Sequence, residues 1–233
     1  MDEPVVLGRE DGPHGTLLLR ERRTGHEVVH ELVVNGVFAM DSTETASERE
    51  LAGFAEGTAV APRVLVGGLG LGYTAATVLD QDTNPASVVD VVELEPQLVA
   101  WARAGLTPVL GRVAADPRTR LHVADVAAVL RGAAGPTGPW EAILLDVDNG
   151  PDFLIHDANA TLYDRGTLRA AHDRLADGGV LAIWCQGPAP ELQEALQALA
   201  PRAQEHHYAV EREGRRFSYV IYALTRGDGA TAR

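Results

Sequence analysis

Three short segments carry groups that could grip a nucleoside, each at the end of a strand-like run. The first is Val64-Leu65-Val66-Gly67-Gly68-Leu69-Gly70-Leu71-Gly72, where Gly68, Gly70 and Gly72 follow an apolar run and open a helix. Glycines there permit a tight turn and let the backbone approach a ligand with no Cβ in the way. The helix N-terminus adds unpaired N–H groups. Taken alone, the same glycines would serve a plain strand–helix turn. The next run, Ser87 to Glu93, ends in a carboxylate about twenty residues on, where an acid can accept both hydroxyls of a ribose. Glu95 is the second candidate, better suited to an exposed, structural place. The third run ends in Ala124-Asp125, and an acid there either receives an adenine amino group or caps the following helix. Three such groups on consecutive strand ends are more specific than any one, because ligands of open α/β sheets bind at the carboxyl edge.

A dinucleotide is the competing ligand. Its fingerprint wants G-x-G-x-x-G, whereas the run from Gly68 reads G-L-G-L-G-Y and places Tyr73 at the last glycine. Only one nucleotide-sized set of strands precedes the closing hairpin. Both points favour a single adenosyl ligand.

The elements that must position these groups fall into two regions. Residues 1–50 read as a small β region and connector: Thr16-Leu17-Leu18-Leu19, Val28-Val29 and Leu32-Val33-Val34 are β-like runs punctuated by Gly15, Gly25 and Asn35-Gly36. The polar stretch from Asp41 to Glu50 leads into a short helix. Residues 51–233 alternate strand, glycine turn and helix. Strands are expected at Arg63 to Val66, Ser87 to Glu93, Leu121 to Val123, Ala142 to Leu145 and Val180 to Trp184. Helices are expected at Gly72 to Asp80, from Pro96 to Ala104, Thr167 to Leu175 and Glu191 to Leu199, with Gly178-Gly179 as a join. Glu205 to Val210 and Phe217 to Leu224 read as a closing hairpin and an antiparallel edge. This alternation predicts a mostly parallel sheet covered on both faces.

Composition narrows the function. The 233 residues are 45% hydrophobic and 23% charged, ordinary for one α/β domain with an appendage. Acidic residues number 33 against 20 basic, for a net charge of −13, which disfavours a nucleic-acid backbone and favours cationic ligands. A lone cysteine, Cys185, excludes a disulfide framework and any zinc site built on several cysteines. No metal-ligand cluster stands out. No apolar run approaches the roughly 18 residues of a membrane span, and Met1 to Gly12 lacks a signal pattern, so the expectation is a cytoplasmic protein with no membrane partner.

With these residues in hand, the chain resembles the spermidine-synthase-like branch of the class I S-adenosylmethionine-dependent methyltransferase fold. The resemblance rests on Asn35-Gly36 after a β run, the Gly68-x-Gly70-x-Gly72 loop, the strand ending in Glu93, and Asp125. It continues through Leu144-Leu145-Asp146-Val147-Asp148-Asn149-Gly150-Pro151, Leu162-Tyr163, Gly178-Gly179-Val180 and Gln186. It implies a Rossmann-like, seven-stranded, mostly parallel sheet with an antiparallel last strand, beside the N-terminal β appendage. It also implies that Glu93 and Asp125 hold the ribose and adenine of a sulfonium nucleoside, that Asp146 accepts the proton of an attacking amine, and that the protein forms a homo-oligomer.

The sequence departs from that family at its amine-recognition elements. Polyamine synthases carry an acid in the glycine loop that grips the ammonium of decarboxylated S-adenosylmethionine; here that position reads as Leu71. Of the elements that line the polyamine channel, Ala39 to Glu50 keeps Glu44, with Ser47 and Glu48 where tyrosine and histidine fall in the family. The D-x-x-D pair becomes Asp146-Val147-Asp148-Asn149.

Attack on a carbon beside S⁺ asks the protein for orientation and for a base when the nucleophile arrives protonated. Asp146, at the end of the fourth strand, suits that base, although Asp146 and Asp148 would also cap the turn made by Asn149-Gly150-Pro151. Asp148, Asn149, Tyr163 and Gln186 are the candidates for an acceptor pocket; His156 reads as a solvated loop residue, and His206 and His207 as edge-strand residues. Without an acid at Leu71, glycine-loop N–H groups could bind the carboxylate of S-adenosylmethionine. The sequence therefore leans to methyl transfer from S-adenosylmethionine to a small acceptor, of which an amine is one class. Aminopropyl transfer from the decarboxylated donor is the alternative, and a non-catalytic nucleoside-binding protein is an answer of another class.

Overall fold

The computed structural model describes residues 3–25, 27–147, 150–151, 157–212 and 215–227. Its central strand, β5 (Arg63–Gly67), buries Val64, Leu65 and Val66 on both faces, as a run of three branched or bulky apolar residues requires. On one side of it lie β6 (Val88–Glu93) and β7 (Thr119–Val123), and on the other β8 (Trp140–Leu145) and β9 (Leu175–Cys185), all parallel. The sheet is completed by β10 (Gln204–Arg212) and β11 (Arg215–Thr225), in the order β10-β11-β9-β8-β5-β6-β7. The expected antiparallel last strand is present as β11, between β9 and β10, and the closing hairpin of β10 and β11 forms one edge of the sheet.

Four antiparallel strands, β1 (Val5–Gly12), β2 (Gly15–Thr24), β3 (Glu27–Val34) and β4 (Val37–Asp41), form the N-terminal sheet. Leu17, Leu19, Leu32 and Val34 from this sheet join the same apolar core as Val64, Val66 and Leu144. The helices are α1 (Ala46–Gly53), α2 (Tyr73–Gln81), α3 (Pro96–Ala104), α4 (Pro108–Ala115), α5 (Val126–Arg131), α6 (Arg165–Asp173) and α7 (Pro190–Leu199). Pro96 opens α3 and Gly105 closes it at φ +68, as expected for a proline-first, glycine-last helix. Helix α4 falls where the sequence reading has none, and α5 is the helix that one reading of Asp125 places after it.

The structure corrects one join. The helix expected over Thr167 to Leu175 starts earlier, because the Asp164 side chain accepts the Thr167 N–H at 2.7 Å and caps it. Strand β9 then begins at Leu175 and runs straight through Gly178-Gly179. These glycines form an irregularity within the strand: Gly178 has φ +78, and a Cβ on Gly179 would lie about 3 Å from the carbonyls of Ala176, Trp140 and Glu141. Among the described residues no helix is long and apolar enough to cross a membrane.

Candidate active site

The glycine loop between β5 and α2 draws two strand ends together. Gly68 has φ +90, and a Cβ there would sit 2.1 Å from the carbonyl oxygen of Asp146. The loop after β8 therefore lies directly on the loop after β5, and the Asp146 N–H donates to the Gly67 carbonyl at 2.8 Å. Gly70, at φ +50, lines the cavity below, with Met40 Sδ 2.8 Å from where its Cβ would be. Gly72 does not line the cavity. It is the left-handed residue that starts α2, and its Cβ direction points to Leu110 and Val113 on α4. Leu71 is 1% exposed and belongs to the core, so it does not stand where a loop acid would meet a ligand. Three glycines with positive φ turn the chain so that Gly70, not Leu71, faces the cavity.

The N–H groups of this loop are largely committed within the protein. Gly68 donates to the Val92 carbonyl (2.9 Å), Leu69 to Glu93 Oε2 (2.8 Å), Leu71 to Met40 Sδ (3.3 Å) and Gly72 to the Leu69 carbonyl (2.8 Å). The expected use of these groups, binding a ligand carboxylate, is thus mostly closed.

Glu93 ends β6 as expected and is buried. Its two oxygens accept the N–H groups of Leu69 and Glu95, both at 2.8 Å, which fixes the carboxylate across the base of the cavity. Each oxygen keeps a second lone pair for a hydroxyl. Burial pushes its pKa up, and the N–H groups of Glu95, Leu69 and Leu94 oppose that rise. Glu95, expected on the surface, is buried too, with His14 Nδ1 of the N-terminal sheet 3.3 Å from its Oε1. Asp125 is the helix cap of its second reading: Oδ1 accepts the Ala127 N–H at 2.8 Å and caps α5, and the half-exposed residue also lines the cavity.

Asp146 follows β8, and its Oδ2 accepts the Thr74 hydroxyl at 2.6 Å. Burial pushes its pKa up, against that hydrogen bond. Glu48, on α1, is a buried cavity residue with a pKa of about 7, raised by burial and then by the negative charge of Asp146. The sequence reading marked Glu48 only as a departure. The available signal was its place on the buried face of α1 with Ser47, Leu51 and Ala52.

Gln186, exposed beyond β9, lines the cavity rim as expected, and Trp184 and Tyr219 join it as aromatic wall that the sequence reading did not propose. Tyr163 is not part of that wall. Its hydroxyl donates to the Val147 carbonyl at 3.0 Å and braces the backbone beside Asp146. Asp148, Asn149 and His156 lie outside the described residues. Together these groups enclose a cavity of about 290 Å³. Its described wall holds seven carboxylates, those of Asp41, Glu44, Glu48, Glu93, Glu95, Asp125 and Asp146, and no Lys, Arg or His. Such a cavity suits a cation.

No family profile matches the chain, and no curated protein matches it in sequence. Solved structures do. A spermidine synthase in complex with the transition-state analogue AdoDATO superposes with a TM-score of 0.74 at 17% identity, over 96% of this chain and 74% of that one. The chain has the spermidine synthase fold. The spermidine synthase of Thermotoga maritima gives a TM-score of 0.69 at 16% identity, covering 96% of this chain and 73% of its own. A probable spermidine synthase from Corynebacterium glutamicum ATCC 13032 gives 0.65 at 17%, covering 94% and 79%. The likeness therefore spans the N-terminal sheet as well as the seven-stranded one. The spermidine synthase fold brings Gly68, Gly70, Glu93, Asp125 and Asp146 to one cavity edge, as the sequence reading required of them, and leaves Gly72 and Tyr163 outside it.

Proposed function

We propose that the protein transfers an aminopropyl group from decarboxylated S-adenosylmethionine to a small cationic amine. The observation that carries this reading is the charge of the cavity: seven carboxylates and no basic side chain on its described wall. A sulfonium with a free ammonium tail is attracted there, whereas the carboxylate of S-adenosylmethionine would meet only like charge. The loop N–H groups of Gly68, Leu69, Leu71 and Gly72 are committed within the protein, which leaves few of them to hold that carboxylate. The reading thus departs from the expectation of methyl transfer. It agrees with the names of the proteins that share the fold.

In this reading the carboxylate of Glu93 accepts the ribose hydroxyls, Asp125 receives the adenine amino group, and Gly68 and Gly70 let the donor lie against the backbone. The amine enters between Asp146 and α1. Its nitrogen lone pair attacks the carbon beside S⁺ and forms the new C–N bond. The C–S bond breaks, and its electron pair stays on sulfur, leaving a neutral thioether nucleoside. An ammonium cannot attack, so a carboxylate must first take its proton. Asp146 is suited to this because burial raises its proton affinity and Thr74 fixes its orientation.

The test is turnover with the decarboxylated donor and a short diamine, followed by chromatography of the nucleoside product. One thioether nucleoside should appear per amine extended. Methyl transfer from S-adenosylmethionine under the same conditions would contradict the proposal.

A further inference from the structure

Glu48 is a buried carboxylate that no strand end or motif announces, and its surroundings set it apart from the other acids of the cavity. It is 9% exposed and accepts the hydroxyl of its neighbour Ser47 at 2.8 Å. The titratable groups facing it are of one sign or neutral. Glu44 precedes it, Asp146 lines the same cavity from the loop after β8 and raises its proton affinity by charge, and the Tyr73 phenol on α2 feels its charge. Arg49, the next residue of α1, lies over the Tyr73 ring at 5.9 Å, with its Nε donating to Thr45 Oγ1 at 3.3 Å. Among the described residues no cation forms an ion pair with Glu48. Compare Glu31 in the N-terminal sheet, which is equally buried but held by Arg20 at 2.6 Å and Arg22 at 2.7 Å.

Two buried carboxylates lining one cavity cannot both ionise at ordinary cost, and such a pair favours holding one proton between them. An amine entering the same space changes that balance, since its positive charge favours both carboxylates in their ionised form. We propose that Glu48 and Asp146 act as one acid pair at the reacting amine, with Glu48 a second carboxylate that takes the ammonium proton before attack. This inference rests on the transferase reading given above.

The proton count closes. With no cation bound, the pair holds one proton and carries one negative charge. Binding of the ammonium releases that proton to solvent and leaves two carboxylates against one cation. The ammonium then passes a proton to Glu48, the neutral nitrogen forms its bond to carbon, and sulfur takes the electron pair of the broken bond. The product is an ammonium again, and on its release Glu48 keeps the proton it took, which restores the singly protonated pair with one proton given to solvent per turnover. The second carboxylate also explains how a chain with no acid in its glycine loop keeps strong negative charge at the amine end of the cavity.

Two measurements test the pair, and only one depends on turnover. The first follows the side-chain carboxyl carbons of the labelled protein by NMR against pH. One glutamate should titrate near neutrality, vanish in Glu48→Gln, persist in Glu48→Asp as an aspartate titrating above the ordinary range, and move down by about one unit or more in Asp146→Asn. A Glu48 that titrates as an ordinary carboxylate, or one that ignores Asp146→Asn, overturns the pairing. The second is the pH profile of kcat/KM with the decarboxylated donor and a short diamine. Glu48→Gln should lose about 10²-fold and lose the near-neutral rise of the profile, while its Kd for the donor stays within about threefold, a change of roughly 0.65 kcal/mol. An unchanged rate and profile in Glu48→Gln overturns the proton-taking role. If the wild-type protein transfers nothing from either donor, the transferase reading and that role fall together, and the titration still decides the pairing.

Discussion

The two ends of the cavity are built on opposite principles. At the nucleoside end, each functional group is already satisfied: Glu93 accepts two backbone N–H groups, Asp125 caps α5, and the loop N–H groups of Gly68, Leu69 and Gly72 donate within the protein. At the α1 end, Glu44, Glu48 and Asp146 crowd negative charge together with no cation paired to Glu48 among the described residues. A satisfied end is rigid and shaped before its ligand arrives, which lowers the cost of ordering on binding. A charged, unneutralised end is destabilising until a cation enters, and it selects by charge rather than by shape. The comparison teaches that the adenosyl part is recognised by a preformed frame and the amine by stored electrostatic demand.

The comparison makes predictions of decreasing size. The largest concerns Asp146→Asn, which removes a carboxylate from the reacting amine but keeps an acceptor for Thr74. Turnover should fall by about 10²–10⁴-fold while donor affinity, read by calorimetry, changes little. Equal loss of both would mean that Asp146 belongs to the nucleoside end. Next is Glu93→Ala, which should weaken donor binding by about 1.5–3 kcal/mol with no special effect on the amine.

The smaller effect is on stability. Glu48 has a folded-state pKa of about 7 against an ordinary value of 4.5, so the folded protein binds more protons than the unfolded chain between those limits. Its contribution therefore destabilises progressively as pH rises through that window and is complete above it. Glu48→Gln should remove this slope and gain on the order of 2 kcal/mol at pH 8 relative to pH 5. Urea melts at the two pH values check it. A wild-type protein whose stability is flat from pH 5 to 8 would remove the electrostatic contrast between the two ends.

The nucleoside end was legible in the sequence for a topological reason. In a parallel sheet every strand ends at the same edge, so Glu93, Asp125 and Asp146 could be gathered there by counting strands. The doubly wound fold was legible from the same alternation. Gly72 and Leu71 were misplaced because three positive-φ residues rotate a loop in ways that spacing does not encode. Helix α5 was legible only through its cap, Asp125, because its six residues are too few to show a period. Glu48 was illegible as a site residue because its partner is 98 positions away in sequence and the two meet only through the packing of α1 on α2. A carboxylate on the buried face of an eight-residue helix is the trace it leaves.

The central claim is that the negative charge of the cavity as a whole selects the donor. It is tested most directly by calorimetric titration of the wild-type protein with decarboxylated S-adenosylmethionine and, separately, with S-adenosylmethionine. The account predicts at least about tenfold tighter binding of the decarboxylated form, a difference of roughly 1.4 kcal/mol, narrowing as salt is raised. Equal or tighter binding of S-adenosylmethionine would contradict it.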